Sequence, residues 1–397
     1  MSHKIFTATP SGYTASLVEI ETDVALNSLP TTVIVGLPDT IVQESRERVR
    51  AAIRNSSFQY PVARVSINLA PGDLPKIGSH FDLAIALSVL LAGELVSFDP
   101  ENLMFIGELA LDGRLRTSTG VLSMIMAAKH AKIKEVFVPL GNSEEAVLVP
   151  EVEVYAAESL QEVVEHLLGR KFLQRVQRKK LVAAAQPSFG IDFRDIAGQQ
   201  LAKRALIIAA AGFHNLRMVG SPGSGKTMLA KALAGILPEL SESEIVETTN
   251  VYSLAGKLTF GAITTRPIRA PHHTASSISL IGGGARPRPG EVSLAHNGVL
   301  FLDELPEFPR SVLEVLRQPL EDGSVTIARA HGTIQFPARF ILVTAQNPCH
   351  CGNNGDPLLV CTCHPAEVAK YNKKISGPLL DRIDLHIQVP RLKYQEF

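Results

Sequence analysis

The chain has 397 residues, of which 45% are hydrophobic and 20% charged; this is the balance of a globular protein of two or three domains. Lys+Arg and Asp+Glu are both 39, so the net charge is zero. That excludes a wholesale basic nucleic-acid coat and an acidic tail protein, but not a local basic face. All four cysteines lie between positions 349 and 363, so they are not a disulfide framework spread through a small secreted chain.

Met1–Glu19 has no apolar core of a signal peptide. The longest apolar run, Leu83–Ala92, is far short of the ~20 residues that span a bilayer. A cytoplasmic protein without a membrane segment is expected.

Residues 1–168 alternate strand-like and helix-like segments. Val33–Val35, Val65–Leu69, Met104–Ile106 and Val136–Val138 predict strands. Asp39–Arg54, Phe81–Leu95, Val121–Lys132 and Glu162–Leu168 predict helices. Residues 169–190 then bring Arg170, Lys171, Arg175, Arg178, Lys179 and Lys180 with no acid, followed by Ala183-Ala184-Ala185-Gln186-Pro187. This is a basic linker, either a solvated connector or a nucleic-acid contact.

Residues 191–397 open a second α/β unit whose short apolar strands, bounded by turn signals, predict a parallel sheet covered on both faces. Gly220-Ser221-Pro222-Gly223-Ser224-Gly225-Lys226-Thr227 matches the phosphate-loop pattern. Leu216–Val219 predicts the strand before it and Met228–Leu233 the helix after it. Glycines let backbone N–H groups turn inward around the β-phosphate of a nucleotide. Lys226 reaches the β/γ-phosphates, and the Thr227 hydroxyl ligates Mg²⁺. Val299–Leu302 is a strand with Asp303 and Glu304 at its C-terminal end, where ligands bind in such sheets. Asp303 is expected to hold Mg²⁺ through water and Glu304 to polarise the attacking water. Phe340–Thr344 is a second apolar strand, ending in Ala345-Gln346-Asn347-Pro348, where an amide can reach the γ-phosphate. Arg382 stands within Leu379-Leu380-Asp381-Arg382-Ile383-Asp384. It can reach a neighbouring subunit's γ-phosphate or pair with Asp381 or Asp384.

Two further stretches are acid-free. Phe260–Gly290 contains Arg266, Arg269, His272, His273, Arg286 and Arg288, and Val325–Ala328 with Thr333–Phe336 predicts a β-hairpin tipped by Arg329 and His331. Arg266, Arg269, Arg286, Arg288, Arg329 and His331 are candidate contacts to the phosphates of a threaded strand, without sequence preference because aromatic platforms are scarce. A solvated loop is the alternative.

Cys349-His350-Cys351 and Cys361-Thr362-Cys363-His364 form two short clasps that can complete a tetrahedral Zn²⁺ site from Cys349, Cys351, Cys361 and Cys363. Reduced thiols and disulfides stay open, and His350 or His364 can replace one cysteine.

These motifs together resemble an AAA+ ATPase, and more closely the ComM/YifB family of magnesium-chelatase-like ATPases. The likeness is carried by Val35-Gly36-Leu37-Pro38-Asp39, Glu44-Ser45-Arg46-Glu47-Arg48-Val49-Arg50, Phe81-Asp82-Leu83 and Gly107-Glu108-Leu109. Arg269-Ala270-Pro271-His272-His273, Ser293-Leu294-Ala295-His296-Asn297-Gly298 and Gly377–Asp384 continue it. The resemblance implies a Lon-protease-like, ribosomal-S5-type α+β domain over 1–168 and a P-loop AAA+ core with a parallel sheet over 191–397. It makes Asn347 the sensor-1 residue and Arg382 an arginine finger acting in trans, hence a homo-hexameric ring. It places Phe260–Gly290 as the helix-2 insert and the hairpin as the pre-sensor-1 hairpin, both projecting into a pore. The implied activity is an ATP-driven helicase for branch migration during integration of transforming DNA, with recombination or competence proteins as partners. The other activity in the family is a chelatase-type motor that remodels a partner protein for metal insertion. With six residues after Arg391, the helical lid carrying sensor 2 is expected to be absent from this chain.

The leading domain is expected to be non-proteolytic. The Lon pattern sets its serine in a Gly-Pro-Ser-Ala-Gly turn. Here the turn is Lys76-Ile77-Gly78-Ser79-His80-Phe81-Asp82, and Val121-Leu122-Ser123 replaces the lysine base. Ser79 without a positioned base is a poor nucleophile. Arg46, Arg48 and Arg50 give this domain a basic helix face for DNA, or pair with Glu44 and Glu47.

Overall fold

The computed structural model describes residues 4–26, 28–178, 191–259, 261–284, 287–329, 332–356 and 358–392. The chain divides into two units, Met1–Lys180 with Ser253–Ala262, and Leu181–Tyr252 with Ile263–Phe397.

In the first unit β1 (Lys4–Ser11) and β2 (Thr14–Ala25) form an antiparallel hairpin. β3 (Thr31–Val35), α1 (Thr40–Asn55), β4 (Arg64–Ala70), α2 (Asp82–Ala92) and β5 (Leu103–Phe105) follow. Then come β6 (Glu108–Leu109), β7 (Leu115–Arg116), α3 (Val121–His130), β8 (Glu135–Pro139), α4 (Ser143–Ala146), β9 (Glu153–Ala157) and α5 (Leu160–Leu167). Seven strands make one mixed sheet in the order β3-β4-β2-β1-β5-β8-β9. Asp39 caps α1 by accepting from the Val42 N–H at 2.8 Å. α2 is apolar all round and buried from Asp82 to Leu91, so it lies at the centre of the core rather than on its surface.

Asp82 is the exception on that helix, and its partner alters the expected basic face. Its side chain is fully buried and accepts from Arg48 Nε at 2.8 Å and Arg48 Nη2 at 3.1 Å, from the Leu109 N–H, and from Ser45. Arg48 therefore points into the domain to neutralise a buried carboxylate, and is not a DNA contact. Arg46 donates to the Gln43 carbonyl, and Arg50 lies 5.8 Å from the Tyr60 ring centre.

The start of the basic linker is attached to the first unit. The N–H of Val176 donates to the Val154 carbonyl at 2.8 Å, and Arg175 pairs with Glu153 at 2.7 Å. β9 is an edge strand, and this segment covers part of it. Lys179, Lys180 and the Ala183–Pro187 run lie outside the described residues.

The second unit begins with α6 (Gln200–Gly212), β10 (Leu216–Val219), α7 (Lys226–Ala232) and α8 (Glu242–Ala255), whose last turn from Ser253 is counted with the first unit. β11 (Ile268–Arg269), α9 (Ser277–Ile281), β12 (Gly282–Gly283), β13 (Arg288–Pro289), α10 (Glu291–Leu294) and β14 (Gly298–Leu302) follow. After α11 (Arg310–Glu314) and α12 (Arg317–Asp322) comes the hairpin β15 (Ser324–Arg329) and β16 (Gly332–Pro337). β17 (Phe340–Gln346), α13 (Pro365–Asn372), α14 (Gly377–Leu380) and β18 (Leu385–Gln388) complete it.

Its main sheet has the order β11-β14-β17-β10-β18, and every pairing is parallel. Side chains alternate between two cores. Val299 and Phe301 of β14 and Ile341 and Val343 of β17 face one; Leu300, Leu302, Phe340 and Leu342 face the other. A sheet buried on both faces can offer polar groups only at its ends. The phosphate loop follows β10, Asp303 and Glu304 follow β14, and Asn347 follows β17, so three adjacent strands deliver the site from one edge.

Candidate functional site

The phosphate loop leaves β10 under tight packing. A Cβ on Gly220 would sit 2.1 Å from the Val389 carbonyl oxygen, so only glycine allows this approach. Gly223 and Gly225 have φ of +79° and +93°, and a Cβ at either would meet nothing within 4 Å. Backbone conformation, not crowding, requires glycine there, and the space above them is open for a phosphate chain.

Lys226 is 8% exposed. Its ammonium donates to the Gly220 and Ser221 carbonyls at 2.7 and 3.0 Å and to Asn347 Oδ1 at 3.3 Å. Burial lowers its pKa, and Asp303 partly offsets this. Thr227 Oγ1 donates to Asp303 Oδ2 at 2.9 Å, and Asp303 Oδ1 accepts from the Glu304 N–H at 3.0 Å. Ser224 Oγ is buried without a hydrogen-bond partner. A buried cation held only by neutral oxygens, an orphaned hydroxyl and a hydroxyl–carboxylate pair together fit a nucleotide with its Mg²⁺. Thr227 and Asp303 would hold the ion, which would shield charge on the phosphates.

Glu304 has φ of +52°, uncommon for a residue with a side chain. Its carboxylate lies 3.4 Å from His273 Nδ1. His273 stacks against His272 with ring centres 4.0 Å apart. A cavity of about 460 Å³ opens here, lined among others by Thr227, Lys231, His272, His273, Asp303 and Glu304.

Three contributors were not legible in the sequence. Gln199, with φ of +52°, donates from Nε2 to the Ser224 and Pro390 carbonyls at 3.2 and 2.6 Å. Arg217 Nε donates to Gln346 Oε1 at 3.1 Å, fixing the residue before Asn347. His273 is the third, read only as part of a basic loop. An arginine inside the apolar strand Leu216–Val219 is the one usable signal among them.

The family-implied finger Arg382 is paired with Glu321 of α12, not with Asp381 or Asp384. Asp384 instead accepts from the Asn215 N–H at 2.8 Å.

The candidate DNA residues divide. Arg266 is 8% exposed and donates to the Pro238, Glu239 and Asn297 carbonyls and to Glu244 at 3.1 Å. It has no donor left for a phosphate, so its expected role as a DNA contact is corrected to a structural one. Arg269 Nε pairs with Glu291 at 2.6 Å, a contact that raises its pKa. Glu244 and Glu291 both lie outside the acid-free stretch. Arg288 is exposed on β13. Arg286 and His331 lie outside the described residues, as does the side chain of Arg329.

The four cysteines come together. Their sulfurs lie within 4.8 Å of one another, with Cys349–Cys351, Cys349–Cys361 and Cys351–Cys361 at 3.4, 3.7 and 3.6 Å. All four are free thiols. A disulfide needs ~2 Å, whereas four sulfurs ~2.3 Å from a central Zn²⁺ stand ~3.8 Å apart. Backbone N–H groups of Asn353 and Thr362 lower Cys351 to about 5, whereas burial and the neighbouring sulfurs push Cys361 up to about 11 and Cys363 upward, a crowding that a bound cation would relieve. The cluster could hold a metal ion. His364 caps α13, accepting from the Ala366 N–H, and His350 packs edge-on against Tyr371, so neither histidine belongs to the cluster.

Comparison with known proteins agrees with this architecture. Residues 192–397 match the family model described as magnesium chelatase, subunit ChlI, and residues 20–142 match a second model, subunit ChlI of Mg-chelatase. The competence protein ComM of Haemophilus influenzae is 46% identical over 98% of this chain and 76% of its own length. The chain belongs to the ComM/YifB family of magnesium-chelatase-like AAA+ ATPases. The uncharacterized protein YifB of Salmonella typhimurium is 43% identical over 97% of the chain and 75% of its own length. More distantly, the magnesium-chelatase 38 kDa subunit of Rhodobacter capsulatus is 28% identical over 44% of the chain. An AAA+ ATPase of this family implies ATP and Mg²⁺, and Lys226, Thr227, Asp303, Glu304 and Asn347 are brought together at the strand ends. Among the described residues no helix is long and apolar enough to cross a membrane.

Proposed function

We propose that the chain is the ATP-hydrolysing core of a homo-hexameric ring motor that acts on DNA as a helicase, driving branch migration when transforming DNA is integrated. The observation that supports the motor is the joint placement of Lys226, Thr227, Asp303 and Asn347 at the ends of three adjacent strands. The observation that supports DNA is the 46% identity to a competence protein. Glu304 orients the attacking water, and Asn347, within reach of Lys226, senses the γ-phosphate. Arg382 leaves Glu321 to reach the neighbouring subunit's nucleotide. Backbone phosphates meet Arg288, and also Arg286, Arg329 and His331.

The metal we read as structural Zn²⁺ bound by Cys349, Cys351, Cys361 and Cys363. The first unit we read as an S5-type accessory domain without peptidase activity. The support is the stretch Val121-Leu122-Ser123 in place of the lysine base, where the Ser123 hydroxyl bonds the Gly120 carbonyl. We place the protein in the cytoplasm.

The test is incubation of the assembled ring with labelled forked or four-way DNA and Mg-ATP. Strand separation that stops in Lys226→Ala is expected. ATP turnover that responds to a partner protein and not to DNA would favour instead a chelatase-type motor, the activity in the name of the Rhodobacter capsulatus relative.

A further inference from the structure

We propose that the cysteine-clasped loop, residues 349–363, is a metal-dependent brace for the phosphate loop, with Asp356 as the positioning residue that connects the two. This rests on the reading of the cysteines as a metal site.

The loop leaves β17 just after Asn347 and returns at α13. Apolar burial does not hold it: Leu358, Leu359 and Val360 are 62%, 45% and 86% exposed. The sulfur cluster at its base is what closes it. Two contacts join it to the phosphate loop. The backbone of Gly352, at φ of +80°, lies against the Pro222 ring, where a Cβ would come within 2.5 Å of Cδ. Asp356 is the second. Its Oδ1 accepts from the Leu358 and Leu359 N–H groups at 2.8 and 3.1 Å, and its buried Oδ2 forms an ion pair with Arg391 Nε at 3.2 Å. Arg391 in turn donates to the Pro222 carbonyl at 3.3 Å.

Ser221 and Pro222 belong to the irregular part of the phosphate loop, and the Ser221 carbonyl holds the Lys226 ammonium. A loop fixed in its binding geometry before ATP arrives loses less entropy on binding. Releasing the clasp frees Pro222, and with it the adjoining Ser221, so the nucleotide must order them itself.

The experiment uses the full chain and a fluorescent ATP analogue with excess Mg²⁺, with metal content measured in parallel. Stripping the metal with a zinc-selective chelator is expected to weaken nucleotide binding about tenfold to a hundredfold, and added Zn²⁺ to restore it. Asp356→Asn is expected to weaken binding comparably while keeping metal and circular dichroism. Combining it with Cys363→Ser is expected to be no worse than either change alone. Unchanged affinity after the metal is removed, or additive losses in the double variant, would overturn the brace. A chain isolated without metal would defeat the zinc reading and with it the metal dependence. Parent-like affinity in Asp356→Asn would defeat the brace while leaving the zinc reading intact.

Discussion

Thr227 Oγ1 and Asp303 Oδ2 are 2.9 Å apart although the residues come from different loops. The contact forms because β10 and β14 flank β17 in a parallel sheet, so their C-terminal ends meet. One hydroxyl and one carboxylate at this distance would make a ligand pair for Mg²⁺, and the buried Lys226 beside them would supply fixed positive charge.

Lys226 and Glu304 should separate binding from chemistry. Lys226→Ala removes the only side-chain cation in the phosphate loop. Nucleotide affinity should fall roughly a hundredfold, since hydrogen bonds to charged groups contribute about 1.5–3 kcal/mol. Glu304→Gln keeps the shape and removes the base, so Mg-ATP should bind normally while turnover falls about 10²–10⁴-fold. Fluorescent-nucleotide titration and phosphate release measure the two effects. An unaltered turnover in Glu304→Gln would show that another group activates the water.

The phosphate loop and the Asp303-Glu304 strand end were legible because each is a contiguous pattern whose chemistry needs adjacent residues. Arg266 was not, because its partners come from Pro238, Glu239, Glu244 and Asn297, which no local spacing connects. The same holds for Arg48, whose partner Asp82 lies on another helix. The β1–β2 hairpin also escaped notice. Its threonines and glutamates break up the apolar pattern, and Pro10 argues against a strand although β1 contains it. In β14 and β17 every residue is buried, and there the continuous apolar runs announced the strands.

Arg266 and Arg288 should therefore respond differently to truncation. Arg266→Ala leaves Glu244 and three carbonyls without their donor and should destabilise the second unit by about 3–5 kcal/mol. Arg288→Ala should leave stability within about 0.5 kcal/mol. If Arg288 meets a phosphate, its loss weakens DNA binding uniformly across sequences and lowers the salt slope by about 1. Thermal unfolding and binding at several salt concentrations distinguish the two. A salt slope unchanged in Arg288→Ala would remove it from the DNA surface.

His80 gives the first unit an acid-sensitive term. Burial pushes its imidazole from 6.5 down to about 4, against a hydrogen bond with the Ala8 backbone. Between those values the unfolded chain takes up a proton that the folded chain refuses, so stability falls as pH falls through that window. The ceiling is about 3 kcal/mol at 1.36 kcal/mol per unit. Amide exchange in α2, whose N-terminus adjoins His80, should accelerate from pH 6.5 to 4, and His80→Gln should flatten that response. An identical pH profile in the variant would assign the acid sensitivity to other groups.

Arg382 offers the sharpest test of the ring. Its guanidinium is partly exposed and its partner is the equally accessible Glu321, and surface pairs of this kind contribute about 0–1 kcal/mol. Removing Arg382 should thus leave folding and Mg-ATP binding nearly unchanged. If it acts on the neighbour's nucleotide, turnover should drop roughly 10³-fold or more. Mixing makes the claim geometric. A Lys226→Ala subunit still carries the finger, and an Arg382→Ala subunit still carries an intact site. In an equal mixture about a quarter of the head-to-tail interfaces join a good site to a good finger, so activity should reappear where each variant alone is silent. An Arg382→Ala protein that hydrolyses ATP at the parent rate would sink the finger. A mixture as silent as its two components would instead place Arg382 in its own subunit's site.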